Sequence, residues 1–293
     1  MTVLYGETIS LPSWDSKIER CKVLAHRYTF ASEILIFYHK ILSFQKGLYD
    51  KVKGNKGVFT LNRKPGAPER GLECRLDMRV LKKGVEILFP LAPSLLLIAS
   101  EGPPLLAAMS KEVSHWGPMG WEAVIEDYRL AKHREQPLFF FPRVLLQPYL
   151  QYVLDRLIKS RERTPPEDRH AGLSLPRCPF CGHSPQTGYL RPVDNASQRF
   201  LICALCQGEW QYKRLACPGC GESNETKLSC FVAEGCPAVR LDVCETCGRY
   251  IKTVDLGKDP EAVPVVDELA TAPLDLWARE QGYEKLELNL AGI

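Results

Sequence analysis

Four CxxC pairs stand within 70 residues of this chain: Cys178 and Cys181, Cys203 and Cys206, Cys217 and Cys220, Cys244 and Cys247. A two-residue spacing lets a tight turn bring both sulfurs to one side, so each pair can offer two thiolates to one tetrahedral metal ion. Twenty-one residues separate the first pair from the second and 23 the third from the fourth, with only 10 between the second and third. That rhythm predicts two four-cysteine sites, first pair with second and third with fourth, the short gap being more naturally the connection between them, with crossed ligation as the alternative. Gly182, Gly221 and Gly248 each follow the second cysteine of a pair, where a residue free to adopt positive φ lets backbone amides turn toward sulfur. Pro179 and Pro218 follow the first cysteines of two pairs, completing CPxCG knuckles. Apolar burial of eight separate cysteines would give no reason for the repeated spacing. A dithiol redox motif needs one pair at a helix N-terminus.

All-thiolate tetrahedral coordination serves zinc as a structural cross-link or a single iron in the manner of rubredoxin, and the ligands are the same for both. The expected cofactors are therefore two metal ions, iron or zinc, each held by four cysteines. With all eight thiolates engaged no coordination position stays open for Lewis-acid chemistry. The chain also has no P-loop, GxGxxG, GxSxG or HExxH motif, so no catalytic residues are assigned and an enzyme is not expected. Cys230 and Cys236, between the third and fourth pairs, read as ordinary thiols, with a reactive dithiol as the alternative. His183 beside the first knuckle reads as a neighbour of the site or a solvated group rather than a ligand. Cys21 and Cys74 read as core residues.

The N-terminal stretch MTVLYGETISLPSWDSKIERC lacks the basic and apolar regions of a signal peptide, which predicts a cytoplasmic protein whose thiols stay reduced. The most apolar window, Val85 to Ser100, falls short of the roughly 18–20 residues of a membrane span and carries Glu86, Pro90 and Pro93. It reads as core, so no membrane insertion is expected. The formal net charge is +3, and the stretch from Cys178 to Lys252 holds 8 Lys and Arg against 7 Asp and Glu. That balance gives little drive to bind phosphate backbones, so a nucleic-acid-binding ribbon is disfavoured against a protein-binding one. Phe180, Trp210, Tyr212 and Tyr250 are candidate interface anchors, with packing under the knuckles as the alternative. A homo-oligomer stays open.

Only two of the 12 cysteines precede residue 178, a compositional break that marks a domain boundary. The expected organisation is a helical domain over 1–158, a polar, proline-rich linker over 159–177, metal modules over 178–212 and 213–256, and a helical tail over 257–293. In the first part apolar residues recur near a 3.6 period from Trp14 to about Tyr49, with Ser13 or Asp15 as cap. The run LFFFPRVLLQPYLQYVLDRLI predicts a long helix kinked or restarted at Pro142 and Pro148. Short runs such as RFLICAL and AVRLDVC after Cys178 predict strands, and helical spacing returns from Pro264, broken at Pro273 with Thr271 as a cap. The fold class is α+β multidomain: a helical N-terminal domain, two small rubredoxin-like or zinc-ribbon-like four-cysteine modules, and a C-terminal helix.

CPFCGHSP (Cys178 to Pro185), CALCQGEW (Cys203 to Trp210) with Arg214, CPGC (Cys217 to Cys220) and CETCGRYIK (Cys244 to Lys252) together resemble the formate dehydrogenase accessory family FdhE. The tail with Asp259, Pro260, VDELAT, Leu274, Asp275, Gly282 and Tyr283 is similar to that family's C-terminus, and VLLQPYLQYV to its last N-terminal helix. The chain departs from the pattern at Gln211, where a histidine is expected, and at Pro273 in the tail. The resemblance implies a cytoplasmic maturation factor that binds the catalytic subunit of a formate dehydrogenase and is needed for its activity, with rubredoxin-like iron sites. The residues themselves leave open an electron-transfer or thiol-reducing protein.

Overall fold

Ser13 opens the first helix by accepting a hydrogen bond from the Ser16 amide at 3.1 Å, the capping that the sequence predicts. The computed structural model describes residues 13–54, 78–129, 137–161, 175–194 and 196–292. Cys74 and most of the expected linker lie outside the described residues. The expected single helix from Trp14 to Tyr49 is instead two: α1 (Trp14–Arg27) ends at Tyr28, and after a 3-10 turn at Thr29–Ala31 the chain folds back as α2 (Ser32–Gly54). Periodicity continues across the break because both helices bury a stripe against each other. Cys21 at their interface is fully buried, its thiol 3.0 Å from the Leu35 carbonyl.

Helices α3 (Met78–Leu88), α4 (Ala92–Ser100), α5 (Pro104–Val113) and α6 (Pro118–Arg129) complete the outer body. Among the described residues one stretch, Lys83–Ser100, is long and apolar enough to cross a membrane, with a mean hydropathy of 1.4. It is two residues longer than the window read from sequence. Pro90 sits in a 3-10 turn that splits it between α3 and α4, and Val85, Leu88, Leu95 and Ala99 pack into the core.

Helix α7 (Phe140–Arg161) is the central strut: every residue from Phe140 to Gln151 is buried. The structure keeps it helical through Pro148, where a kink or restart was expected. Proline leaves the Val144 carbonyl without its intrahelical donor, and the buried Gln45 amide on α2 supplies one at 3.1 Å. The same amide group donates to Gln147 Oε1 at 3.0 Å. Gln45→Leu strands both acceptors and is expected to lower stability by about 1–3 kcal/mol, read as a lower midpoint in thermal unfolding. An unchanged midpoint would show that Pro148 needs no such repair.

The C-terminal part forms one sheet. Strands β1 (Pro185–Val193), β2 (Ala196–Cys203), β3 (Glu209–Tyr212), β4 (Leu228–Val232), β5 (Val239–Cys244) and β6 (Arg249–Asp255) lie in the order β3-β2-β1-β6-β5-β4, and β7 (Glu284–Lys285) pairs with β6. Each cysteine region contributes an antiparallel three-strand unit, and the parallel pairing of Gly188 to Leu190 with Thr253 to Asp255 fuses the two. Helices α8 (Pro264–Ala270) and α9 (Ala272–Glu280) cover one face. Thr271 stands at the start of α9 as predicted, but its hydroxyl bonds back to the Asp267 and Glu268 carbonyls and does not cap.

Charged contacts lock the helical body to this layer. Arg20 of α1 donates through Nε and Nη2 to Asp267 of α8 and reaches Asp259 at 2.5 Å. Arg143 of α7 donates to the Leu288 carbonyl at 2.6 Å and to Gln186 Oε1 at 3.0 Å. Under α8, the fully buried Lys252 and Lys285 face Glu268 and Asp275, two cations against two anions.

Candidate metal centres

Each cysteine pair sits on a tight turn closed by backbone hydrogen bonds. In the first, the Gly182 amide donates to the Cys178 carbonyl at 2.8 Å and Cys178 to His183 at 2.9 Å. In the third, Gly221 to Cys217 and Cys217 to Glu222 repeat the pattern at 2.9 and 2.8 Å. Gly182, Gly221 and Gly248 hold φ of +75°, +83° and +66°, the left-handed turn that the sequence predicts. The second pair has Gln207 at that position with φ +57°, an uncommon conformation for a side-chain-bearing residue. Its amide donates to the Cys203 carbonyl at 3.1 Å, which helps hold it there.

The pairs come together first with second and third with fourth. Cys178 Sγ is 3.5 Å from Cys206 Sγ and Cys181 Sγ 3.3 Å from Cys203 Sγ. In the other group Cys217 Sγ lies 3.7 Å from Cys247 Sγ and Cys220 Sγ 3.6 Å from Cys244 Sγ. All four sulfurs of each group fall within 4.8 Å of one another. Disulfide sulfurs would stand at about 2.0 Å. A tetrahedron with bonds of about 2.3 Å to thiolate has edges of about 3.8 Å, so both groups have the size of a metal site. Backbone amides already point at the sulfurs: Leu205 and Cys206 at Cys203, Gly208 at Cys206, and Gly219 at Cys217, all between 3.2 and 3.5 Å. Burial pushes the Cys203 and Cys206 thiols well above their ordinary pKa, and hydrogen bonding with Cys178 adds to the shift.

The two groups differ in setting. In the first, Cys178, Cys203 and Cys206 are buried and Cys181 is half-buried, whereas in the second Cys220 is exposed and Cys247 half-buried. Helix α7 closes the first group from behind: Gln147 donates to the carbonyl of Ala204, between Cys203 and Cys206, at 2.7 Å. A hydrogen-bond path thus runs from Gln45 on α2 through Gln147 to the second knuckle, a connection that the sequence analysis missed. Leu154 of α7 sits against Gly208, where an added Cβ would lie 2.6 Å from its Cδ2 and 3.2 Å from Cys206 Sγ. Gly208→Ala is expected to cost about 1–3 kcal/mol by overpacking and to alter thiolate-to-metal absorption of the first group, measured by titrating metal into the apoprotein. An unaltered spectrum and midpoint would mean that Leu154 yields freely.

His183 is buried, with its ring 4.9 Å from that of Tyr128 and Nε2 3.5 Å from Glu287, and belongs to neither four-sulfur group. It is a packed neighbour of the site and not a solvated group. Phe180, Trp210, Tyr212 and Tyr250 are all buried, so the structure corrects their reading as interface anchors. They pack beneath the knuckles because two hydrophobic faces, of sheet and helices, meet there. The thiols of Cys230 and Cys236 are both raised in pKa by desolvation, opposite to the activation that a thiol reductase needs.

Residues 177–214 match the family model "FdhE, central domain" and residues 215–291 "FdhE, C-terminal domain". A curated "Protein FdhE homolog" from Aquifex aeolicus (strain VF5) is 34% identical over 156 residues, 53% of this chain and 52% of that protein. One from Pectobacterium atrosepticum is 33% identical over 112 residues, 38% and 36% of the two chains. The matched stretch thus spans about half, or less, of the length of these relatives. The crystal structure of the FdhE protein from Pseudomonas aeruginosa superposes with a TM-score of 0.68 over 96% of this chain and 97% of that one, at 24% identity. The shared fold therefore includes the helical body.

Proposed function

We propose that this chain, whose residues 177–214 and 215–291 match the models of the FdhE central and C-terminal domains, is a cytoplasmic accessory protein that binds the catalytic subunit of a formate dehydrogenase during its maturation and performs no catalysis itself. The observation that carries the reading is the coincidence of these two domains with two four-cysteine groups of metal-site dimensions. Cys178, Cys181, Cys203 and Cys206 would hold one ion, and Cys217, Cys220, Cys244 and Cys247 the other, iron or zinc. Bound metal supplies a cross-link between knuckles that lie far apart in the chain. Everything else is work for the chain's own groups: α7 sets the position of the first knuckle through Gln147, and Arg20 and Arg143 hold the helical body against the sheet. The result is one rigid surface with which to recognise a folded or nearly folded partner.

The test is affinity capture of the tagged protein from anaerobically grown cells, followed by mass spectrometry. Recovery of a formate dehydrogenase catalytic subunit, lost in Cys178→Ser and Cys244→Ser variants, is the expected result. Recovery of nucleic acid or of unrelated proteins alone would overturn the reading. Metal analysis and visible absorption of the purified protein separate iron from zinc, since only the former absorbs and bleaches on reduction.

A further inference from the structure

The sheet face turned away from α8 and α9 carries a cleft of about 170 Å³, open to solvent, between strands β4 to β6 and the segment that joins the two cysteine regions. We propose that this cleft binds a small organic phosphate. Four arginines line it, Arg199, Arg214, Arg240 and Arg249, against a single carboxylate, Asp242. They come from β2, the joining segment, β5 and β6, so nothing in local sequence announces their convergence. Register explains it: Cys230, Asp242 and Ile251 stand opposite one another across β4, β5 and β6 and share this face, as do Arg240 and Thr253.

The charges are not consumed by the fold. Arg199 and Arg240 both approach the same Asp242, at 2.9 Å each, which leaves one of the two cations uncompensated. Arg214 and Arg249 have no ion pair among the described residues. Arg199 is only 3% exposed and donates through Nη1 to the Ala216 carbonyl at 3.1 Å, yet its buried Nε has no hydrogen-bond partner among the described residues. An unsatisfied buried donor is costly in a native protein, and an anion in the cleft would supply its acceptor. A carboxylate brings one negative charge, whereas a phosphate monoester brings about 1.5–2 and three acceptor oxygens, closer to the surplus of three cations here. Guanidinium groups match phosphate geometry. Leu215, Leu228 and Leu286 on the walls suit an organic portion.

Cys230 is exposed and lines the cleft, so it reports occupancy in the intact, metal-loaded protein. Alkylation at pH 8.5 is followed by peptide mapping, with Cys236 as the internal reference and metal content monitored. The probes are inorganic phosphate and adenosine 5′-monophosphate, with adenosine and chloride at matched ionic strength beside them. The monophosphate is expected to protect Cys230 selectively at millimolar concentration or below, and Arg214→Gln/Arg249→Gln to raise the concentration needed by about tenfold or more. These two side chains make no ion pair among the described residues; should the double variant misfold, Arg214→Gln alone, at an exposed position, serves. Absence of protection overturns the proposal, as does equal protection by chloride. So does protection by an aspartate-rich peptide when both phosphates are inert, because the cleft would then be a docking site for an acidic protein segment. None of these results bears on capture of a dehydrogenase subunit, so the two readings stand or fall separately.

Discussion

Cys203→Ser is expected to unfold the sheet cooperatively and release one metal ion per chain, whereas Cys220→Ser releases the other ion with helix content and the bulk of the unfolding transition preserved. The asymmetry follows from setting. Cys203 ends β2, is fully buried, accepts the amides of Leu205 and Cys206 on its sulfur, and lies in the knuckle whose Ala204 carbonyl is held by Gln147 of α7. Loss of that ion frees buried thiols in an apolar pocket shared with Phe180, Leu205 and Trp210. Structural thiolate sites contribute about 10–16 kcal/mol of apparent binding energy in small peptides, against a total stability of about 5–15 kcal/mol for a typical domain. Even a fraction of it decides whether the sheet survives. Cys220 is exposed, and although Cys217 and Cys244 of its group are buried, its loss opens the site on the solvent side. Circular dichroism with metal analysis on both variants checks this. Equal loss of structure in the two would show that the second group is as deeply coupled to the fold as the first.

Lys252→Met is the substitution away from the cysteines with the largest expected effect. Lys252 is 0% exposed and its ammonium contacts Asp275 and the carbonyl of Glu268, while Lys285 pairs with the same two carboxylates. Two buried cations balance two buried anions, and removal of one leaves a carboxylate uncompensated where water does not reach. Breaking such a pair costs about 3–5 kcal/mol. Tyr250 donates to Asp275 at 2.9 Å and Asn289 to Glu268 at 3.2 Å, so the disturbance spreads to β6 and the C-terminal segment. Lys252→Met with Asp275→Leu restores neutrality and is expected to recover part of the loss. A denaturant titration of the two singles and the double checks it; losses that simply add would mean that the four charges act independently.

The local chemistry was legible. Knuckle glycines at positive φ, the Ser13 cap and the break at Pro273 each depend on a few adjacent residues, whose steric and hydrogen-bonding options differ little between peptide and protein. The spacing of the cysteine pairs also foretold which would meet, because a pair must sit on one turn. Where reading failed, distant residues had intervened. The restart expected at Pro148 does not occur: α7 runs on through it, and Gln45, far away in sequence, satisfies the stranded carbonyl. One helix became two because α1 and α2 bury the same apolar stripe against each other, and a 3.6 period is silent about reversal of direction.

What this chain's sequence determined by itself is the inventory of donors and the turns that present them: eight thiolates on four knuckles, a helical body before them and helices after. Tertiary structure alone decided that β1 and β6 pair in parallel and make one sheet of two cysteine regions, that the first four-sulfur group is enclosed by α7 while the second leaves Cys220 exposed, and that four arginines from separate segments line one cleft. The physical reason is range. Turns and caps are fixed by interactions within a few residues, whereas sheet pairing, enclosure and charge convergence are set by the packing of many weak contacts between segments that the linear order keeps apart.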